Sequence, residues 1–198
     1  MNQINHLLPT WLLVVVTLLL RGFISFFTHF LNHKIPLLWR LHRVHHMDNE
    51  LDVSTTVRIH PLEMFVNAGI SVPIAIALGL PPWILLFYEL LDVAVTLFSH
   101  SNLRLPRGLE RWLRYIIATP GVHTVHHSVE KEETDSNYSA VFPIWDIVFR
   151  TFKPGDQPPR RLGLKEFDVD DVSRFGWLLA SPFRSARAID SITPELGD

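Results

Sequence analysis

Three long apolar runs dominate the first hundred positions, with polar residues gathered between and after them. The first runs from about Leu7 to Leu31. It holds Trp11-Leu-Leu-Val-Val-Val-Thr-Leu-Leu-Leu20, then Arg21, then Gly22-Phe-Ile-Ser-Phe-Phe27. A helix of that length, rising about 1.5 Å per residue, can cross a hydrocarbon core of about 30 Å. No positive charge precedes the run and no small-residue cleavage site follows it, which argues against a cleaved signal peptide. The second and third runs are Leu62 to Leu80 and Trp83 to His100. Gly79-Leu-Pro-Pro82 breaks the helix between them, so the pair reads as a transmembrane hairpin. Pro61 suits a first helical position, Glu63 suits the first turn by its charge, and Pro73 is a candidate kink.

Further along, residues 107–119 pattern as an amphipathic interfacial helix, with Trp112, Leu113, Ile116 and Ile117 on its apolar side. After Lys153 the chain turns polar and Pro-rich, and it keeps one apolar patch, Phe175 to Phe183. The expectation is an all-α integral membrane bundle of about three transmembrane helices with a cytoplasmic histidine-rich helical cap. Residues 1–153 form the membrane domain, and residues 154–198 a cytoplasmic or interfacial tail.

Charge orients this picture. All 18 Lys and Arg lie in 21–58 and 104–187, and none lies in 1–20 or 59–103. The positive-inside rule places both charged segments in the cytoplasm. The amino terminus and the 79–82 turn then face outside, and the carboxyl terminus inside. Asn137-Tyr-Ser139 matches a glycosylation sequon, but it falls on the cytoplasmic side and is discounted. The 198 residues suit one domain, and 47 % of them are apolar. The net charge of −2 and the lack of a basic, aromatic-laced face argue against nucleic acid as a partner. There is no cysteine, which excludes disulfides, thiolate zinc sites and a cysteine nucleophile.

Histidine stands out. There are 11, and all but His6 fall between His29 and His127. His29 and His33 are four apart, on one helical face. His42, His45 and His46, and again His123, His126 and His127, are spaced i, i+3, i+4, which also reads as one face. His100 ends the third run. By the charge count, these groups all lie on one side of the membrane, at or just beyond helix ends. His6 reads as an ordinary interfacial histidine, while His60 stays open between that and a site role. Nine imidazoles are too many for one metal and suit two, with four or five ligands each. Neutral imidazole suits iron, zinc, copper or nickel. The boxes lack the Glu-x-x-His pairs of soluble di-iron bundles. Glu89 and Asp92 lie inside the third run, where ionisable groups are costly. They are candidates for function or for a helix–helix hydrogen bond.

The ordered series His29-x3-His33, Pro36-Leu-Leu-Trp-Arg40, His42-Arg-Val-His45-His46, Arg58-Ile-His-Pro-Leu-Glu63, His100-Ser-Asn102, Thr119-Pro120, His123-x2-His126-His127, Asn137-Tyr138 and Trp145-Asp146 with Phe149 resembles the fatty acid hydroxylase superfamily, in its sterol desaturase-like branch. The likeness covers about residues 20–153, and more loosely Leu162-Gly-Leu164 and Pro182-Phe183. It implies an O2-dependent membrane enzyme with two iron ions that hydroxylates or desaturates a C–H bond of a sterol, fatty acyl chain or ether lipid. The ligands it implies are His29, His33, His42, His45, His46, His100, His123, His126 and His127. It implies supporting, water-holding places for Asn102 and Asn137, and leaves the role of His60 unassigned. Electrons would come from an external reductase or small redox carrier, since no GxGxxG sequence is present. The amino terminus is shorter than in many such proteins, which fits a truncated start or a reduced architecture. Arg21-Gly-Phe-Ile-Ser-Phe-Phe27 replaces the acidic and tyrosine residues common before the first box. The alternative from another class is a non-catalytic membrane protein that handles iron or zinc. A transporter would hold its ligands near the bilayer midplane, not at one face.

Overall fold

A computed structural model of the protein describes residues 8–167 and 172–184. His6 and the last residues of the tail lie outside the described residues. Regular structure among them is helical, apart from one isolated antiparallel bridge between Ser128 and Leu162. The apolar runs become α1 (Thr10–Lys34), α3 (Pro61–Ala77) and α4 (Pro82–Ser99). Between α1 and α3 lie α2 (Pro36–His46) and a 3-10 turn (Val53–Val57). After α4 come the short helices α5 (Arg107–Leu113), α6 (Pro120–His126), α7 (Lys131–Thr134), α8 (Ile144–Val148) and α9 (Phe175–Ala180).

Two helices, α1 and α4, are long and apolar enough to cross a membrane, with mean hydropathy of 2.0 and 1.5. Only 22 % of each apolar window is buried within the chain, which is little for the core helix of a soluble bundle. Helix α3 is apolar but has 17 residues, about 26 Å. It stops because Gly79 takes a left-handed conformation (φ 63°), and the Leu80 N–H donates back to the Ala75 carbonyl at 3.0 Å. Trp11, Phe65, Ile76, Leu86 and Phe87 are all more than half exposed, part of an apolar belt well beyond scattered surface hydrophobes.

The inner faces of the same helices are polar. Arg21, Ser25, Thr28 and Asn32 recur at three- and four-residue steps on α1. Glu63, Asn67 and Ser71 do so on α3, and Asp92, Thr96 and Ser99 on α4. Asn32 Nδ2 donates to Asn67 Oδ1 at 3.1 Å, and Arg21 Nε to Glu89 Oε1 at 2.7 Å. Thr96 Oγ1 donates to Asp92 Oδ1 at 3.1 Å. Polar side chains thus join helices whose outer faces are apolar. Arg21 is therefore an interior residue of α1, not the flanking charge that the positive-inside count made of it.

Residues 107–119 do not form one helix. Helix α5 ends at Leu113, and the chain is extended by Ala118, whose N–H donates to the Val141 carbonyl at 2.9 Å. Trp112 and Ile116 are exposed, whereas Ile117 packs against the Tyr88, Val95 and Val141 cluster. The apolar patch of the tail docks on the histidine-bearing part of the chain. Trp177 and Leu178 pack on the Met47, Leu164 and Val172 cluster beside Trp39. Arg58 Nη2 donates to the Val172 carbonyl at 2.6 Å, and Arg43 Nη2 to the carbonyls of Ser181 and, at 2.9 Å, Arg184.

Candidate metal centre

The last turns of α1 deliver His29 and His33, and the extended Ile35 lets α2 fold back beside them. His42, His45 and His46 occupy the buried end of α2, and His100 caps the carboxyl end of α4. Helix α6 starts with Pro120 at its first position and Thr119 as its cap. It carries His123 and His126, with His127 just beyond its end. These nine side chains converge into two groups. His29, His33, His42, His46 and His126 form one, and His45, His100, His123 and His127 the other, with one ligand nitrogen per residue lying within 4.8 Å of its fellows. The reading that each HxxHH box presents one face is corrected here. Residues four apart on a helix differ by about 40° in direction, whereas adjacent residues differ by about 100°. His42 and His46 therefore enter one group and His45 the other. In α6 the division is mirrored, since His123 and His127 join the group of four and His126 crosses to the group of five.

The outer nitrogens are braced. His29 Nδ1 donates to the Tyr138 carbonyl at 2.7 Å, and His126 Nδ1 to the Ser136 carbonyl at 2.6 Å. His45 Nδ1 donates to the Thr55 carbonyl at 3.1 Å, and His100 Nδ1 to the Thr96 carbonyl at 2.8 Å. His42 Nδ1 donates to Glu63 Oε1 at 2.7 Å. With Nδ1 holding the proton, the Nε2 of a neutral ring carries a lone pair. Those lone pairs converge: His29 and His42 Nε2 are 2.9 Å apart, His126 and His29 3.1 Å, and His100 and His45 3.2 Å. With no proton to share, such contacts are repulsive unless a cation lies between them. Imidazole nitrogens sit about 2.1 Å from zinc, so two ligands at right angles lie about 3.0 Å apart. The observed spacings match that edge. Both ring nitrogens of His33, and Nδ1 of His46 and His127, are buried without a hydrogen-bond partner. His33 Nδ1 approaches Asp135 Oδ1 at 3.5 Å.

Protonation points the same way. Burial, reinforced by neighbouring imidazoles, holds His45, His46, His123 and His127 well below the ordinary histidine range. Burial also lowers His100, and it pushes His126 down to about 3. Neutral rings are the form that binds metal.

The remaining expected residues divide. Asn137, in a left-handed conformation (φ 53°), clamps two strands of loop. Its Nδ2 donates to the carbonyls of Val122 and Lys153 at 3.0 and 2.9 Å, and its Oδ1 accepts from the Lys153 N–H at 2.8 Å. It thereby positions the carbonyls of Ser136 and Tyr138 on either side of it. His60 belongs to neither group. Its Nδ1 accepts the Leu62 N–H at 3.2 Å, capping α3, and its Nε2 donates to the Leu179 carbonyl at 3.1 Å. Asn102 is exposed and outside both groups. Two contributors were missed. Glu63, read as a dipole-matching acid, is the carboxylate behind His42. Asp146 accepts the N–H groups of Tyr138 and Ser139, both at 2.8 Å, and the Thr151 hydroxyl at 2.7 Å, so it shapes the bracing loop. The Arg58-Ile-His-Pro-Leu-Glu63 and Trp145-Asp146 motifs contained both signals.

The polar inner faces of α1, α3 and α4 enclose a cavity of about 280 Å³ that reaches His29, His42, His45, His100 and His123. It therefore touches both histidine groups.

Comparison with known proteins gives the lineage. The chain is 31 % identical over 147 residues to the ornithine lipid hydroxylase OlsE of Rhizobium tropici, covering 74 % of this chain and 43 % of that protein. It is 30 % identical over 153 residues to the alkylglycerol monooxygenase of Caenorhabditis elegans, covering 76 % and 28 %. It is 25 % identical over 150 residues to the human cholesterol 25-hydroxylase, covering 74 % and 53 %. The chain thus spans 28–53 % of the length of these relatives. No solved structure matches it significantly. The family model described as fatty acid hydroxylase matches residues 14–151, the stretch that supplies every one of the nine converging histidines, and the chain belongs to that family.

Proposed function

We propose that the chain is a membrane-embedded lipid oxygenase that holds two iron ions and inserts oxygen into, or desaturates, a C–H bond of a membrane lipid. The observation that carries this reading is the convergence of nine histidines into adjacent groups of five and four at one end of the apolar helices. In this reading α1, α3 and α4 all cross the bilayer and the histidines lie at the cytoplasmic face. The printed activities of the relatives, hydroxylation of ornithine lipid and cholesterol and monooxygenation of alkylglycerol, support a lipid substrate. Two bound iron ions would supply O2 activation and removal of hydrogen from an unactivated carbon.

The chain's own part is geometric and electrostatic. The carbonyls of Ser136, Tyr138, Thr55 and Thr96, with Glu63, hold the Nδ1 protons so that the Nε2 lone pairs face inward. Asn137 and Asp146 hold the loop that carries two of those carbonyls. The cavity brings a substrate carbon beside both groups. Hydroxylation consumes one O2, two electrons and two protons, and yields the alcohol and one water. Desaturation consumes the same and yields the alkene and two waters. A reductase or small redox carrier outside this chain supplies the electrons.

Metal analysis of the purified protein tests the reading, with two irons per chain expected. His126→Ala is expected to abolish lipid oxidation while the protein still inserts in the membrane. A stoichiometry of one or none, or oxidation retained in that variant, would refute it.

A further inference from the structure

An oxygenase of this kind takes its electrons from outside the chain, and electron transfer slows steeply as the gap between donor and acceptor widens. Among the described residues, two rings other than imidazole approach the nine converging histidines, Trp39 and Tyr138. Each meets three members of the group of five. The Trp39 ring centroid lies 5.0 Å from that of His33, 5.3 Å from His46 and 6.3 Å from His42. Tyr138 lies 5.1 Å from His33, 5.8 Å from His29 and 5.9 Å from His126. Tyr138 is fully buried, whereas Trp39 is half-buried. Trp39 borders a second cleft, of about 460 Å³, which reaches His33 and shares no lining residue with the cavity between α1, α3 and α4. The exposed Lys131 and Lys165 line this cleft too. The indole packs against the Met47, Leu164 and Val172 cluster, which fixes its place. Between the two histidine groups, His46 and His127 stack with centroids 4.6 Å apart and ring planes at 22°.

We propose that Trp39 is the residue through which electrons enter the centre, first at the group of five and from there, across the His46–His127 stack, at the group of four. The inference rests on the oxygenase reading above. The donor is a one-electron carrier that brings its redox group to the Trp39 cleft and leaves the substrate cavity free. Each of the two electrons used per O2 leaves a reduced carrier, which is oxidised by one electron, and turns one ferric ion ferrous. The indole is neither oxidised nor reduced; its π system lies against ligands from both α1 and α2 and shortens the gap that the electron crosses. An aliphatic side chain of similar size would fill the same space without that coupling, which is the difference the test has to read.

The chain has no cysteine, so one introduced thiol carries a single label. A ruthenium polypyridyl photoreductant is attached to the full, iron-loaded chain at Lys165→Cys, in the cleft, or at Arg111→Cys, an exposed position on α5 that does not line it. A light flash injects one electron, and absorbance follows reduction of the iron. Reduction is expected to be about tenfold faster from position 165 than from position 111. Trp39→Leu is expected to remove that advantage, with two irons per chain retained and the rate from position 111 unchanged. Trp39→Phe keeps a ring and restores part of the rate. Equal rates from the two positions while Trp39 is intact overturn the inference and leave the oxygenase reading standing. So does an undiminished rate from position 165 in iron-loaded Trp39→Leu protein, and so does equal slowing from both positions, the mark of a disturbed metal centre. A chain that binds no iron sinks the oxygenase reading and this inference with it. If Trp39→Leu misfolds, the comparison of the two positions and the Trp39→Phe protein still decide the matter.

Discussion

The group of five histidines has a carboxylate, Glu63, behind His42, and backbone carbonyls behind His29 and His126. The group of four is fully buried, and the braces on His45 and His100 are backbone carbonyls. The same residue type, supported differently, makes two unlike sites. A carboxylate behind an imidazole raises its basicity more than a carbonyl does. The group of five is therefore the one whose cation affinity a side-chain substitution at Glu63 should change. The group of four depends on backbone placement, which no side-chain substitution can remove.

Breaking one group at a time has the largest expected effect. His46→Ala and His127→Ala each remove a ligand from one group only. Each is expected to lower the metal content from two to one per chain and to abolish lipid oxidation. Metal analysis that finds both ions lost from either variant would show that the groups fill as one unit. Acidification comes next. For His45, His46, His123, His126 and His127 the folded-state value lies below the ordinary histidine value of about 6.5. Below that value the unfolded chain binds more protons than the folded one. Their contribution is thus full above about pH 6.5 and is lost as pH falls toward the folded values, which reach about 3 for His126. Metal release and unfolding should both advance as pH drops from about 7 to about 5. A metal content that is flat across that range would contradict neutral, burial-held ligands.

A smaller effect separates the two braces. Glu63→Gln keeps an acceptor for His42 and removes the charge. It is expected to weaken metal binding in the group of five by about 10–100-fold, while the group of four keeps its affinity. Competition with a chelator reads both sites, and equal loss from both would erase the distinction drawn here. Least of all should Asn102→Ala matter, with stability unchanged to within about 0.5 kcal/mol and metal content intact. Loss of metal in that variant would put Asn102 back among the supporting residues.

Local pattern explains why much of this chain was readable. Residues Thr10–Lys34 and Pro82–Ser99 are helices because continuous apolar runs bounded by Pro or polar residues have few other solutions. Histidine spacing marked eight of the nine converging side chains, and a place at the end of the third apolar run marked His100. Reading by pattern failed where an element's partner decides its fate. Residues 107–119 looked like one amphipathic helix, yet the chain turns at 114–116 and pairing of Ala118 with Val141 holds its last residues in extended chain. Arg21 looked like a cytoplasmic charge because its partner, Glu89, is 68 residues away.

The amino-acid sequence by itself determined the three long apolar helices and the identity of the nine histidines. Those follow from composition and from periods of three and four residues, which are local properties. Tertiary structure alone decided which histidine joins which group, that Glu63 and the Ser136 and Tyr138 carbonyls stand behind the rings, and that three polar stripes close on one chamber. Each of those depends on the angle at which one helix meets another, and a difference of about 100° between adjacent residues separates His45 from His46.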